Sequence, residues 1–487
     1  LGSKVIFIML EQLRSVTKIY DLFALCASYI IKECESNPYE FELFDEDQYD
    51  NVFDMFDEYA YNLQKIGSVK AFNNLKNKIV SYLKSGITIE KIFALVKFMD
   101  EFVEIDLDGE LIGAGRSIIK YSAMNTQYQD FVKIIPKMKQ TLLDRAEVQF
   151  KSLVNSEYSL FRKKMECPCS ILDKEMSNYT IWDKDKIKKY PFTIYHLGEN
   201  HPLTKYFFKN EKVIFGIVPL TKEKIENILE IEYDKKLFSI KDMYESAEED
   251  LKERYEKACK KSKENKIDFL VFPEMLLTKD IIFSSDENDA VNQLIVNGSV
   301  SKDCVNKTIV TNGKKEELLS YCKKEPFELK VKGMTYRERL DKTKNKEYVV
   351  IEINSLGRVG VAICKDLLNE DIKLFHKYMD TNILIIPAYT ASRDLYSSAE
   401  SLSKDYHIIV VLANACSALE QDKEEIGFVT IPAKNKTARS NKTIIYTRKK
   451  CEDMCCGECM GKKIEIDFGT TKSDSEGLSY EINTKDF

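Results

Sequence analysis

The stretch DFLVFPEML, residues 268–276, decides how the second half of the chain is read. Phe269, Leu270, Val271 and Phe272 form a short apolar run without alternation, the pattern of a strand covered on both faces, and Pro273 ends it because proline has no N–H for the ladder. Glu274 follows at once. A carboxylate at the carboxyl end of a buried parallel strand stands where α/β proteins put chemistry, since crossover helices cover both faces and leave that edge open.

Working outward, similar runs recur: KVIFGIVPL, LIVNGS, KTIVTNG, YVVIEI, VGVAIC, NILIIPA and HIIVVLAN. They are rich in Ile and Val and imply a large sheet system. Between KVIFGIVPL and DFLVFPE lies a helical pattern with Met243, Ala247, Leu251, Tyr255 and Ala258 on its apolar face. Strand, long helix, strand is a crossover unit, right-handed by default.

Toward the N-terminus the period changes. Tyr49, Val52, Phe53, Phe56 and Tyr59 recur at steps of three and four, with Asp47, Asp50, Asp54, Asp57 and Glu58 on the remaining arc, and Ile89, Ile92, Phe93, Val96 and Met99 repeat the spacing. These are amphipathic helices whose aromatic stripe reads as core. A further helical stretch is expected from about Ser117 to Lys164, bent at Pro136. Gly113 to Gly115 reads as a turn, since a third glycine and a preceding strand are missing from it. Residues 165–210 mix Pro, Asn, Gly, His and charge and read as a linker or irregular bridge. The expected organisation is a helical domain over 1–164, that bridge, and an α/β domain over 211–487.

The chain has 487 residues, too many for one core, with 44% hydrophobic and 11% aromatic residues to fill two. Its 73 basic and 79 acidic residues give a net charge of −6, which supplies no overall field for nucleic acid. No run reaches the ~18 apolar residues of a membrane span. Thirteen cysteines fit a reducing cytoplasm better than a secreted disulfide scaffold. The chain starts at Leu1, as a piece of a longer protein would.

Two further segments match Glu274 in context. In GRVGVAICKDLLN, Cys364 follows a buried strand, and a thiol that attacks carbon needs a base such as a nearby carboxylate to take its proton. In SYCKKEPFEL, Tyr321 and Lys323 share one face of an extended segment, so Lys323 can stabilise an oxyanion in the same cleft. Alone, a buried Cys is usually inert packing, and a Glu before a loop usually caps or pairs. A Cys–His hydrolase would need one of four histidines, and His407 at the head of HIIVVLAN reads as a strand-edge residue.

These phrases, in this order, resemble the nitrilase or carbon–nitrogen hydrolase superfamily over about residues 210–470. FPE at Glu274, the tyrosine-x-lysine segment at Lys323 and the nucleophile strand at Cys364 are similar to its Glu-Lys-Cys catalytic set. Glu338 in MTYRERL matches the second glutamate of that family, which holds the lysine or the reacting group. The interval from Glu274 to Lys323 is shorter than the family pattern. The resemblance implies an αββα sandwich behind the helical domain, an amidase-type reaction on a small molecule and a homodimer or larger homo-oligomer. Lys324 is the reserve for Lys323. The backbone N–H of Lys365 is the candidate oxyanion donor, and the charge at Lys365, where the family carries an aromatic, favours an acidic substrate. The CKD that follows the strand points to amides more than to nitriles.

The resemblance leaves a second class open, an oligomerising or sensing module. Nitrilase-like domains also occur behind reverse transcriptases in bacterial antiphage proteins, and nucleic acid would be a partner only in such a polymerase fusion. No Tyr-x-Asp-Asp motif is present. Catalysis of this type requires no cofactor. A structural zinc is one reading of Cys451, Cys455, Cys456 and Cys459, with Cys167 and Cys169 as further ligands, and free thiols or chance clustering are the other.

Overall fold

The computed structural model describes residues 3–16, 19–36, 46–66, 69–111, 118–122, 133–137, 176, 179–198, 200–220, 229–240, 245–284 and 292–486, less short gaps in the last range and the segments 416–424, 433–441 and 448–460. The chain divides into two units, Leu1–Met138 with Phe150–Pro191, and Lys139–Gln149 with Phe192–Phe487.

The first unit opens with the described helices α1 (Ser3–Ser15), α2 (Ile19–Ser36), α3 (Glu46–Ile66), α4 (Val69–Lys84) and α5 (Ile89–Leu111). Val52 and Phe56 of α3 are buried with Phe23, Leu75, Ile79, Ile92, Val96 and Met99, while Tyr49 and Tyr59 pack at the margin. The stripe on α3 is therefore core. Phe53 alone departs from it, 41% exposed with its ring edge-on to Phe98.

The expected helix from Ser117 is corrected by strands β1 (Ile118–Ser122) and β2 (Lys133–Pro136). β2 pairs antiparallel with β3 (Tyr179–Trp182), setting Ile134 opposite Ile181. Isoleucine pairs are β-branched, and runs this short do not separate a helical from an extended period. The rest of that expected helix, and the glycines at 113–115, lie outside the described residues. The buried carboxylate of Asp100 on α5 accepts the Tyr179 N–H at 3.1 Å, which fastens the strand pair to the helices.

The linker reading of 165–210 is also corrected where the structure describes it. After β3 come α6 (Lys184–Lys189), β4 (Phe192–Leu197) and α7 (Pro202–Lys209). The HPL that read as loop is a helix start. His201 is the N-cap and accepts the Leu203 N–H at Nδ1, and Pro202 occupies the first turn, where no N–H is needed.

In the second unit β5 (Lys212–Ile217) is followed by β6 (Leu229–Glu232), β7 (Leu237–Ile240), α8 (Glu245–Glu264), β8 (Phe269–Val271), α9 (Lys279–Ser284), β9 (Leu294–Val296), β10 (Val300–Lys302), β11 (Val305–Asn312) and β12 (Glu317–Cys322). Then come β13 (Glu328–Val331), β14 (Met334–Glu338), β15 (Tyr348–Ile353), β16 (Gly357–Val361), α10 (Glu370–Tyr378), β17 (Ile383–Ala388), α11 (Asp394–Tyr406), β18 (Ile409–Asn414), β19 (Glu425–Ile431), β20 (Lys442–Thr447), β21 (Lys462–Asp474) and β22 (Gly477–Asp486). One sheet runs β10-β11-β9-β8-β5-β21-β22, with β12 beside β11; its centre, β5, β8 and β9, is parallel. The other contains β4-β15-β16-β17-β18-β19-β20, with β16, β17 and β18 parallel.

Alternation along the strands gives the layers. Ile214 of β5 packs on Leu251, Tyr255 and Ala258 of α8. Its neighbour Ile217 points the other way, to Gly427 of β19, where a Cβ would lie 3.0 Å from the Ile217 side chain. The next residue, Phe428, faces outward and lies 4.4 Å from Tyr396 of α11, ring to ring. Helix, sheet, sheet and helix are thus stacked within this unit. A small sheet, β13-β14-β7-β6, is set around Phe238 and Tyr336.

Candidate active site

Glu274 is placed by the end of β8. Phe272 N donates to Val296 O at 3.0 Å, beyond the proline Glu274 N donates to Ala388 O at 3.3 Å, and Met275 takes a positive φ of 68° with its N–H on Ser299 Oγ. The turn is braced by Gly298, at φ +54°, where a Cβ would sit 1.9 Å from Pro273 O. Only glycine fits there. The Glu274 side chain is fully buried.

Lys323 follows β12, and its side chain and that of Tyr321 reach different carboxylates. Tyr321 OH donates to Asp366 Oδ2 at 3.0 Å, while Lys323 Nζ donates to Glu274 Oε1 at 2.5 Å and to Glu338 Oε2 at 2.7 Å. Glu338 closes β14 and also accepts the Phe327 N–H at 2.8 Å. Lys324 turns elsewhere, donating to Glu347 O at 3.1 Å above the ring of Tyr348. Burial pulls its amine down to about 8. Of the two adjacent lysines, Lys323 is the one beside Glu274.

Cys364 begins a short turn of 3-10 helix, Cys364–Leu368, just past β16, and is held at a positive φ of 47°. Such a conformation is costly for a side-chain-bearing residue and persists only where the surroundings impose it. Asp366 imposes it. Its Oδ2 accepts Ile363 N at 3.1 Å as well as Tyr321 OH, and its Oδ1 accepts Lys324 N at 3.0 Å and Glu325 N at 2.8 Å, so one buried carboxylate ties the cysteine turn to the lysine segment. Burial raises Asp366 to about 6 in spite of those donors.

The cluster is dry. Cys364 is 2% exposed, and its Sγ lies 3.9 Å from Tyr389 O. Burial, and then the charge of Glu274, push the thiol well above its ordinary value, with Lys323 pulling back. Burial also raises Glu274; Lys323 opposes the rise and Glu338 adds to it. Burial alone would lower Lys323, but Glu274 and Glu338 outweigh it and keep the ammonium charged. Thiol and carboxyl perturb each other, yet Glu274 Oε2 is buried without a hydrogen-bond partner of normal geometry among the described residues. Cys364 therefore rests as a thiol, and any attack by its sulfur must shed a proton to a neighbour.

Asn306, on β11, was not found by sequence reasoning. Its Nδ2 donates to Glu274 Oε1 at 2.9 Å and to Glu338 Oε1 at 2.8 Å, and its backbone O accepts Lys323 N at 2.8 Å. The available signal was polar residues at period two, Asn306 and Thr308, on a strand whose inward face is buried. Asp366 was missed as a brace because three of its four donors, Tyr321 OH, Lys324 N and Glu325 N, lie more than forty residues away in sequence.

Lys365 is the residue whose charge was expected in the pocket. Its side chain is one-third exposed, with Nζ 3.5 Å from Glu328 Oε2, so the charge is spent outside the buried cluster. His407 is exposed at the head of β18, at the strand edge. Cys167, Cys169, Cys451, Cys455, Cys456 and Cys459 lie outside the described residues; among the described ones no group of His, Cys, Asp and Glu could hold a metal. Among them, too, no helix is long and apolar enough to cross a membrane.

No protein-family model matches the chain, and no curated protein is significantly similar to it. Among solved structures, the NitFhit protein of C. elegans is similar at 13% identity and a TM-score of 0.32, over 48% of this chain and 61%, less than two thirds, of that one. An amidase from Nesterenkonia sp. AN1, in a mutant form with the acetamide moiety of fluoroacetamide on its active-site cysteine, is similar at 11% identity and a TM-score of 0.31, over 48% of this chain and 90% of that one. Saccharomyces cerevisiae Nit3, described as a member of branch 10 of the nitrilase superfamily, is similar at 14% identity and a TM-score of 0.32, over 49% and 90%.

Proposed function

We propose that the second unit is a nitrilase-type carbon–nitrogen hydrolase acting on small amides, with Cys364 as nucleophile. The observation that carries this reading is the Lys323 ammonium held between Glu274 and Glu338, fully buried, in the cluster that contains the strained Cys364. An ammonium paired with two carboxylates is an expensive way to fill a core and a useful one beside a developing negative charge.

In this mechanism Cys364 Sγ attacks the amide carbon as its proton passes to Glu274, whose raised affinity for a proton matches it to that task. The tetrahedral oxyanion is met by Lys323 and the Lys365 backbone N–H. Glu274 returns the proton to the leaving amine, leaving a thioester on Cys364. Water, deprotonated by Glu274, then attacks the thioester and releases the acid and the thiol. Glu338 keeps Lys323 in position throughout. A reduced thiol suits the cytoplasm, and a homodimer or larger homo-oligomer accompanies this reading. Amides are favoured over nitriles by the residues after the cysteine, Lys365 and Asp366.

A second reading keeps the fold and drops the reaction, because 2% exposure at Cys364 also suits an inert packed thiol. The chain would then be an oligomerising module of a larger assembly, such as an antiphage reverse transcriptase–nitrilase protein. Ammonia release from a panel of short primary amides and nitriles separates the two. The enzyme reading expects turnover of an amide that Cys364→Ala and Glu274→Gln both abolish. Turnover that survives both substitutions, or none on any compound, removes it.

A further inference from the structure

We infer that Asn306 is a positioning residue that determines which oxygen of Glu274 acts as the base; this rests on the hydrolase reading above. Four side chains form a closed ring. Lys323 Nζ reaches Glu274 Oε1 and Glu338 Oε2, and Asn306 Nδ2 reaches Glu274 Oε1 and Glu338 Oε1. An amide nitrogen carries two hydrogens, and here both are spent on carboxylates, which fixes the orientation of the amide. Its Oδ1 is buried without a partner among the described residues, so the Nδ2 end holds the side chain in place.

The ring divides the two oxygens of Glu274. Oε1 receives two donors, and Oε2 receives none of normal geometry. A lone pair already engaged by an ammonium and an amide is a poor proton acceptor, so the proton of Cys364 goes to Oε2. Asn306 also bridges two carboxylates that would repel each other, and its backbone O holds the Lys323 N–H at 2.8 Å. It touches neither thiol nor substrate in this role. It acts through Glu274.

Donation to an ionised carboxylate favours the ionised form, so losing Asn306 makes Glu274 harder to ionise and moves the onset of base catalysis to higher pH. Iodoacetamide is a suitable probe for the full chain, because it carries a primary amide and marks Cys364 covalently, with the site read by peptide mass. The rate of Cys364 alkylation is followed against pH in the native chain, Asn306→Leu, Asn306→Asp and Glu274→Gln. The native rate should fall on the acid side as Glu274 takes a proton. In Asn306→Leu that limb should lie about one pH unit higher, so the rate at a fixed pH on the limb should fall by up to about 10-fold. Asn306→Asp is isosteric, so it keeps the shape where leucine fails to fold, and it should shift the limb the same way by adding a negative charge.

If either folded variant keeps the native limb while Glu274→Gln loses it, the base reading stands and the role of Asn306 is overturned. If Cys364 of the native chain is alkylated no faster than the other thiols and Glu274→Gln changes nothing, the hydrolase reading itself fails, and this inference with it.

Discussion

Among its described residues the second unit buries Lys315 and Lys323, each beside a cysteine and near an asparagine, and they are opposites. Lys315, at the turn between β11 and β12, donates to Tyr255 OH at 2.7 Å and lies 3.5 Å from Cys259 Sγ, with Tyr255 bonded on to Asn297 and Asn297 to Thr311. Burial lowers this amine, and the Cys259 thiol only partly restores it. Lys323 is buried at least as deeply, yet two carboxylates hold it charged. A polar cluster that satisfies itself with neutral partners is core, whereas one that keeps buried charge in balance is a site under a different demand.

The sharpest way to break this contrast is to remove each sulfur. Cys364→Ala should reduce ammonia release by about 10⁴-fold or more, the scale of losing a nucleophile. Cys259→Ala should leave the rate within about twofold, because its sulfur belongs to the separate Lys315 and Tyr255 cluster, 3.5 Å from Lys315 Nζ, and serves packing. Equal losses in the two variants would erase the distinction between the clusters.

Stability should separate the lysines next. Lys323→Met leaves Glu274 and Glu338 buried without their ammonium and should cost about 3–5 kcal/mol in denaturant unfolding. Lys315→Met loses a hydrogen bond between groups that need no charge and should cost about 1 kcal/mol. Adding Glu274→Gln to Lys323→Met should recover part of the loss, since a neutral amide tolerates burial better than an unpaired carboxylate. A further loss instead would mean that the ion pair is not what the cluster depends on.

The residues that carry charge in this comparison were legible in the sequence, because Glu274, Lys323 and Cys364 stand at the ends of apolar strands and Glu338 follows in a matching phrase. Asn306 and Asp366 were not. Each acts by joining segments far apart in the chain, and a single strand pattern shows only that an inward position is polar, not which partners will meet it. The fold followed the same rule. Unbroken Ile and Val runs announced the two large sheets, while β1 and β2 were too short for their period to be told from a helix, and the histidine and proline that start α7 passed for loop.

Lys324 sharpens the comparison from outside both clusters. Burial lowers its amine to about 8, with Asp366, Cys322 and Glu347 opposing. Its folded value therefore lies below its unfolded one, near 10.5. Between those two values the unfolded chain holds a proton that the folded chain has shed, so this group makes stability rise with pH across that window. Reductive ¹³C-methylation should give one resonance titrating near pH 8 that Lys324→Arg removes, while Lys323, buried and held as an ammonium, should stay unmodified. A step near pH 8 that survives Lys324→Arg would assign the lowered amine to another lysine.

Lys365 should give the smallest effect of all. It is adjacent to Cys364, so its charge would matter strongly if it faced the buried site, as Lys323 does. Its side chain instead leans toward Glu328, 3.5 Å away, with about half of that partner's side chain in solvent. Exposed pairs of this kind contribute roughly 0–1 kcal/mol, and their field is screened by salt. The proposed oxyanion donor is the backbone N–H, which every residue but proline retains. Lys365→Ala should therefore change kcat/KM for a neutral amide by less than about threefold and leave any preference between neutral and acidic amides unaltered. A selective loss on acidic amides, abolished by salt, would show that the ammonium reaches the substrate after all, and the line drawn between buried and surface charge would have to pass on the other side of Lys365.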